Sequence, residues 1–222
     1  MVLNIMINNM QKIKYDTSKW NWQKDYGRIL PSVIPLCDIK NNIDVLKREN
    51  DQSTMYHALF YLWADTNWFK ESYSSFIKEV VRPLYNESIV VQKIPTFRIC
   101  FPNNIAVGEF HKDRWYRDES WAKNVQEDNF FLPFTDAFGN NTIQVESEED
   151  KGDYSPMECE YGEMIQWDGS NLTHGNNIND TGKCRVSVDF RVIKLSNYLP
   201  SEHGSINMKT KFKLGEYYQL IN

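Results

Sequence analysis

Two imidazoles, one carboxylate and one guanidinium stand in an order that suits oxidative metal chemistry: His111-Lys112-Asp113, then His174, then Arg185-Val186-Ser187. Two histidines and one aspartate can occupy one face of an octahedral iron(II), leaving the opposite face open for a chelating co-substrate and O2. An arginine after the second histidine supplies a planar fork that grips a carboxylate at two points. His111 and Asp113 are two apart, so on an extended segment both point to the same side, the spacing that a metal pair on a strand end needs. H-x-D alone is a weak signal, and reads far more readily as a surface histidine beside a chance aspartate in a charged stretch. The ordered set is far more specific, because the chain has only 4 histidines and two of them fall in it. His57 and His203 read as structural or solvent-facing.

The segment around Arg185 adds a second signal. Arg185, Ser187, Asp189 and Arg191 alternate with Val186, Val188, Phe190 and Val192. Strict alternation puts the polar set on one face of a strand and the apolar set on the other. The apolar face can lie under helices while the polar face lines a cavity. Asp189 and Arg191 read as a buried ion pair or as substrate contacts. Arg98 reads as a second anion-binding group or as an ion partner of Asp189. Asn129 is placed near the co-substrate or substrate, or caps a turn. Trp167 is a core residue or a substrate wall. Glu109 shares a face with His111 and Asp113 and is placed to meet a cationic substrate group.

Four stretches carry a resemblance: Ala106–Asp113, Glu163–Gly169, Leu172–Asn176 and Arg185–Arg191. Together they resemble the iron(II)/2-oxoglutarate-dependent oxygenase superfamily, and within it the branch that includes streptomycin-cluster oxygenase-like proteins. The likeness spans about residues 88–195. It implies a double-stranded β-helix (a jelly roll, cupin-like) with Fe(II), 2-oxoglutarate and O2 as reagents. His111, Asp113 and His174 would be the metal ligands and catalytic centre, and Arg185 with Ser187 would bind the distal carboxylate of 2-oxoglutarate. Arg98 and Asn129 join the expected cofactor-binding set; Glu109, Trp167 and Arg191 form the expected substrate-binding set. The implied reaction is hydroxylation of a small polar metabolite, of natural-product or sugar and amino-acid type, with release of succinate and CO2. Carboxylate-lacking halogenase variants carry Ala or Gly where Asp113 stands, so halogenation is disfavoured. The competing class is a cupin-like metal protein, an isomerase or binding module without oxygenase activity. That class leaves Arg185 and Ser187 unexplained.

Composition bounds the rest. The 222 residues suit one domain with a sizeable core, and 41% hydrophobic with 14% aromatic content gives it the payload of a folded globule. A formal net charge of −5 offers no basic footprint for nucleic acid or an anionic membrane. No apolar run approaches the roughly 20 residues of a membrane span, and the start lacks the pattern of a signal peptide. Cys37, Cys100, Cys159 and Cys184 are far apart, without C-x-x-C, and read as reduced thiols. A cytoplasmic enzyme with a small-molecule partner is the expectation.

The elements that must position these residues follow from periodicity. Residues 1–37 read as an irregular lead-in. Helical spacing runs from Asp38, as N-cap, through Ile39, Ile43 and Leu46, then from Ser53 with Met55, Leu59, Leu62 and Trp63 on one stripe. It continues beyond a break near Asn67 with Trp68, Tyr73, Phe76, Ile77 and Val80, and Pro83 ends it. From Ser88 the chain turns to short β-rich runs: 89–93, 96–101, 106–110, 130–134, 142–147, 164–167, 172–175 and 185–193. The acidic run Glu146–Asp150 reads as a solvated loop. The predicted organisation is one domain over 1–222, with a helical lead-in and support (1–87), a β-helix core (88–195) and a C-terminal tail (196–222). The helices should cover the sheet that carries Val186, Val188 and Phe190.

Overall fold

The structure is a computed structural model that describes residues 4–7, 10–40, 54–106, 109–205 and 209–222. Its strands are β1 (Asn4–Ile7), β2 (Met10–Lys14), β3 (Ile89–Gln92), β4 (Thr96–Cys100), β5 (Glu127–Pro133), β6 (Gln144–Val145), β7 (Ser155–Pro156), β8 (Glu163–Trp167), β9 (His174–Gly175), β10 (Arg185–Lys194) and β11 (Tyr218–Ile221). The α-helices are α1 (Trp22–Ile29), α2 (Met55–Ala64), α3 (Asn67–Phe76) and α4 (Glu119–Asn124). A large antiparallel sheet runs β1-β2-β8-β5-β10-β3-β11, with β4 also on β10, and a small sheet runs β7-β6-β9. The result is the expected jelly roll, a large and a small sheet backed by helices. No helix among the described residues is long and apolar enough to cross a membrane.

The central strand is β10, and its alternation works as the sequence predicts. Val186, Val188, Phe190 and Val192 are fully buried in the main core, together with Phe60, Phe69, Tyr73 and Phe76 from α2 and α3. Phe190 stacks on Phe130 at 5.0 Å and takes the edge of Tyr73 at 5.7 Å. Burying each such side chain stabilises the fold by about 1.5–3 kcal/mol. The opposite face carries Arg185, Ser187, Asp189 and Arg191 towards the small sheet.

Helix phase departs from the predicted stripe. Met55 is 53% exposed and Leu62 71%, while His57, Phe60, Trp63 and Ala64 face inward. Ring packing sets this phase: Phe60 stacks on Phe97 of β4 at 4.7 Å, and the turn of helix that carries Leu62 then faces out. Trp68 is likewise half-exposed, and Phe69 takes the inward place. Thr66 caps α3 by accepting from the Phe69 N–H at 3.3 Å. A π turn and a 3-10 turn follow α3, and the chain becomes extended at Tyr85, just after Pro83. Asp38 ends a 3-10 turn instead of capping a helix; Ile43 and Leu46 lie outside the described residues.

Both ends of the chain are more regular than predicted. The lead-in supplies β1, β2 and α1, and β2 pairs with β8 in the register Ile13–Met164. The tail supplies β11, which pairs with β3 and brings Tyr217 and Tyr218 against Phe212 and Trp121. The strand expected over 106–110 is absent among its described residues; a single bridge between His111 and His174 takes its place.

Candidate metal centre

Register on the large sheet lays out one wall of the site. Arg191 pairs with Asn129, and Asn129 with Trp167 on the next strand. One step along, Asp189 pairs with Phe131 on β5 and Thr96 on β4; a further step places Ser187 opposite Arg98. Directly paired residues share a face, so Arg98, Asn129, Trp167, Arg185, Ser187, Asp189 and Arg191 all belong to the inner face.

The small sheet and its neighbouring loop form the other wall. His111 and His174 exchange both backbone hydrogen bonds, at 2.8 and 2.9 Å. This mutual pairing places the two side chains on one face, with ring centroids 4.5 Å apart. Gly175 is needed here, because a Cβ would lie 2.9 Å from the Phe110 ring. Lys112 is extended and Asp113 opens a 3-10 turn, so Lys112 points away while Asp113 turns back beneath His111. Asp113 Oδ1 lies 3.6 Å from His111 Nε2 and 3.7 Å from His174 Nε2.

These three ligand atoms all lie within 4.8 Å of one another. Donors roughly 2.1 Å from one ion and adjacent on one octahedral face stand about 3.0 Å apart. The Asp113 spacings of 3.6 and 3.7 Å lie somewhat above this, so the two imidazoles and the carboxylate would draw inward on an ion. Each imidazole is already oriented by the chain itself. His111 Nδ1 is 2.8 Å from the Glu109 carbonyl and His174 Nδ1 is 2.9 Å from the Leu172 carbonyl. A carbonyl only accepts, so Nδ1 carries the proton and Nε2 turns its lone pair to the centre. Burial pushes the His174 pKa down to about 4, against the pull of Asp113, so the ring is neutral near neutral pH.

Asp113 is tied down from behind. Its Oδ2 accepts from Asn129 Nδ2 at 2.7 Å and from Arg191 Nη2 at 2.8 Å. Burial works against the charged carboxylate, but Arg191 together with the His111 and His174 rings outweighs it and holds the pKa well below the usual range. Arg191 also pairs with Asp189, which accepts from Arg98 Nε at 3.3 Å. Gly169 allows the approach of Asn129, since a Cβ there would meet the amide at 2.5 Å.

A cavity joins the two walls. His111, Asp113 and His174 line it together with Arg98, Asn129, Trp167, Arg185, Asp189 and Arg191. Trp167 sets its ring edge-on to His174 at 4.7 Å, so it is both core and cavity wall. Arg185 is 1% exposed, and its Nε and Nη1 have no hydrogen-bond partner among the described residues. The Ser187 hydroxyl is equally buried and likewise unpartnered among them. Glu109 is exposed and lies outside the cavity lining; it contributes its carbonyl to His111.

The sequence reading missed an anchoring system beside the ligands. Lys112 is buried and donates to Glu149 at 3.0 Å and Asp150 at 2.6 Å. Arg114 also pairs with Glu149. Glu146 is buried and accepts from the Thr173 N–H at 2.5 Å, next to His174. The acidic run is solvated at Glu148, Glu149 and Asp150, as expected, but buried Glu146 and the pairs of Glu149 and Asp150 with Lys112 also fasten the segments that carry His111, Asp113 and His174. The charges of Lys112 and the acidic run were visible in sequence, but nothing local pairs residues 37 apart.

No protein-family model matches the chain. In layout the fold is similar to that of EvdO2 from Micromonospora carbonacea var. aurantiaca complexed with 2-oxoglutarate, at 11% identity and TM-score 0.47 over 87% of this chain and 94% of that one. It is also similar to AviO1 from Streptomyces viridochromogenes Tue57, at 15% identity and TM-score 0.45 over 86% and 92% of the two chains. At such scores the chemistry has to be argued from the side chains. Sequence similarity is closer to the streptomycin biosynthesis protein StrG of Streptomyces griseus, 38% identical over 180 residues, which are 80% of this chain and 81% of that protein. The chain belongs to the StrG family.

Proposed function

We propose that the protein is a non-haem iron(II)- and 2-oxoglutarate-dependent oxygenase that hydroxylates a small polar metabolite and releases succinate and CO2. One observation carries this reading. A buried guanidinium and a buried hydroxyl, with Nε, Nη1 and Oγ unpartnered among the described residues, lie on the wall opposite two imidazoles and a carboxylate. An unpaired buried charge is costly. A carboxylate ligand removes that cost by filling the Arg185 fork and accepting from Ser187. A dicarboxylate that also chelates a metal held by His111, Asp113 and His174 satisfies both walls at once. The kinship with a streptomycin biosynthesis protein supports a natural-product metabolite as substrate.

Bound iron(II) would couple oxidative decarboxylation of 2-oxoglutarate to oxidation of a substrate C–H bond. The chain's own contribution is placement. The Glu109 and Leu172 carbonyls fix the tautomer and aim of the two imidazoles. Asn129 and Arg191 hold Asp113 Oδ2, which leaves Oδ1 to serve as the ligand atom a metal would take. Arg185 and Ser187 orient the co-substrate, while Trp167 and Phe131 exclude water from its flank.

The test is anaerobic titration of the iron(II)-loaded protein with 2-oxoglutarate, followed by succinate release in air. Saturable binding and 2-oxoglutarate-dependent succinate are expected, and Asp113→Ala should abolish both metal retention and turnover. A metal-loaded protein that ignores 2-oxoglutarate would leave the cupin-like alternative standing.

A further inference from the structure

The cavity at the metal centre is small. About 50 Å³ is open to the centre of a water molecule. At roughly 10–15 Å³ per water on that measure, this is room for about four waters. That matches a five-carbon dicarboxylate and leaves no space for a second organic molecule. A substrate must therefore lie outside the cavity.

A much larger groove, about 750 Å³ on the same measure, is lined by Arg114, Trp115, Gln126, Ser170, Asn171 and Asn197 among others. This is the range of small-molecule sites. The groove and the cavity share a wall. The Asp113 N–H donates to the Gly169 carbonyl at 3.0 Å and Arg114 Nη1 donates to Asn171 Oδ1 at 2.6 Å. Asp113 faces the cavity, and the residues just after it and after Gly169 face the groove.

The groove's chemistry narrows its ligand. Every cation lining it has an anion: Arg114 with Glu149, Arg117 with Glu127 at 3.0 Å, and Lys123 with Glu119 at 2.5 Å. Among the described residues, no guanidinium of the lining lacks a carboxylate and no carboxylate of the lining lacks a cation. What remains is amide chemistry and one flat ring. Gln126 and Asn197 make no side-chain hydrogen bond among the described residues, and Trp115 is 60% exposed. Amides donate and accept towards hydroxyls, and an indole face packs against C–H groups. We propose that this groove, one wall away from the metal centre, binds a neutral polyhydroxylated ring, a sugar or similar polyol. The substrate role rests on the oxygenase reading above.

Saturation-transfer NMR on the zinc-loaded protein tests it, with trehalose, glucose 6-phosphate, glucosamine and 2-oxoglutarate as separate probes. Trehalose should receive saturation. Trp115→Ala should reduce the effect at least about threefold, and Gln126→Ala and Asn197→Ala about threefold each, with 2-oxoglutarate binding unchanged. Three results would overturn the proposal: no transfer to trehalose, transfer to the charged sugars only, or a trehalose signal indifferent to Trp115. Failure of the wild type to bind 2-oxoglutarate would overturn the oxygenase reading instead, however the sugars behave.

Discussion

Arg191 Nη2 lies 2.8 Å from Asp113 Oδ2, on the side of the carboxylate away from the two imidazoles. Asn129 reaches the same oxygen at 2.7 Å. The two oxygens of Asp113 are thereby divided, one held by the sheet and one left for the metal. Arg191, expected as a substrate contact, has its guanidinium committed to Asp113 and Asp189.

Replacing Arg191 by Leu should loosen that hold without removing a ligand. Outer partners of metal ligands typically contribute about 10–100-fold in affinity. A drop of that size in iron(II) or zinc affinity, measured against a competing chelator, is expected for Arg191→Leu. Equal affinity in variant and wild type would show that Asn129 alone suffices.

Arg185 leads to an unusual pair of expectations. Its Nε and Nη1 have no hydrogen-bond partner among the described residues, and the guanidinium meets the Phe131 ring at 5.5 Å, so the buried charge weakens the ligand-free fold. Arg185→Leu should therefore leave the melting temperature of the ligand-free protein unchanged or raise it. The same change should weaken 2-oxoglutarate binding by about 2–5 kcal/mol in calorimetry. A ligand-free variant that melts well below wild type would reveal a protein partner for Arg185 and undercut its role as an anchor.

Lys112 stands between two ligands yet points to the acidic loop, where Glu149 and Asp150 receive it. Lys112→Met keeps the buried stem and removes the clamp. Amide hydrogen exchange over residues 147–153 should accelerate, with metal affinity falling while global stability changes little, because both acidic partners are largely exposed. Unaltered exchange in that loop would mean that Glu146 and Arg114 hold it unaided.

Two buried histidines make the metal-free protein acid-sensitive. Burial pushes the pKa of His57 down to about 4, helped by Arg98, and that of His174 to about 4 as well. In the unfolded chain both return to about 6.5. Between those values the unfolded state takes up protons that the folded state refuses, so stability is complete above pH 6.5 and is lost as pH falls towards 4. Each ring contributes at most about 1.4 kcal/mol per pH unit. His57→Leu should flatten the loss seen by urea denaturation between pH 7 and 5. An identical pH profile would mean that His57 is not a source of the sensitivity.

Much of the site was legible because it is written in short-range patterns. The H-x-D pair was legible from its residue types, although a single bridge at His111 and a 3-10 turn at Asp113, not a strand, bring the two together. The period-two alternation of Arg185–Val192 follows from the pleat of a strand, which local sequence fixes. The same alternation foretold which face of β10 the helices would cover. Helix existence was legible too, but helix phase was not: the stacking of Phe60 on Phe97 turned Met55 and Leu62 outward. The N-terminal strand was invisible because Met10–Lys14 holds a single fully buried residue, Ile13, and pairs as a strand with β8 only in the folded sheet.

The sequence by itself determined the donor set and its likeness to an oxygenase centre, since ligand type and spacing are local properties. Tertiary structure alone decided what each neighbour does. Arg98 was left open between anion binding and an ion pair until register placed it opposite Ser187 and beside Asp189. Asn129 became a holder of Asp113 because β5 and β10 align it with Arg191. Lys112 and Glu149 met across 37 positions only when the loop folded back. The physical reason is common to all three: which charges pair is fixed by distances in space, and those are set by strand register and loop closure, which no short window of sequence contains.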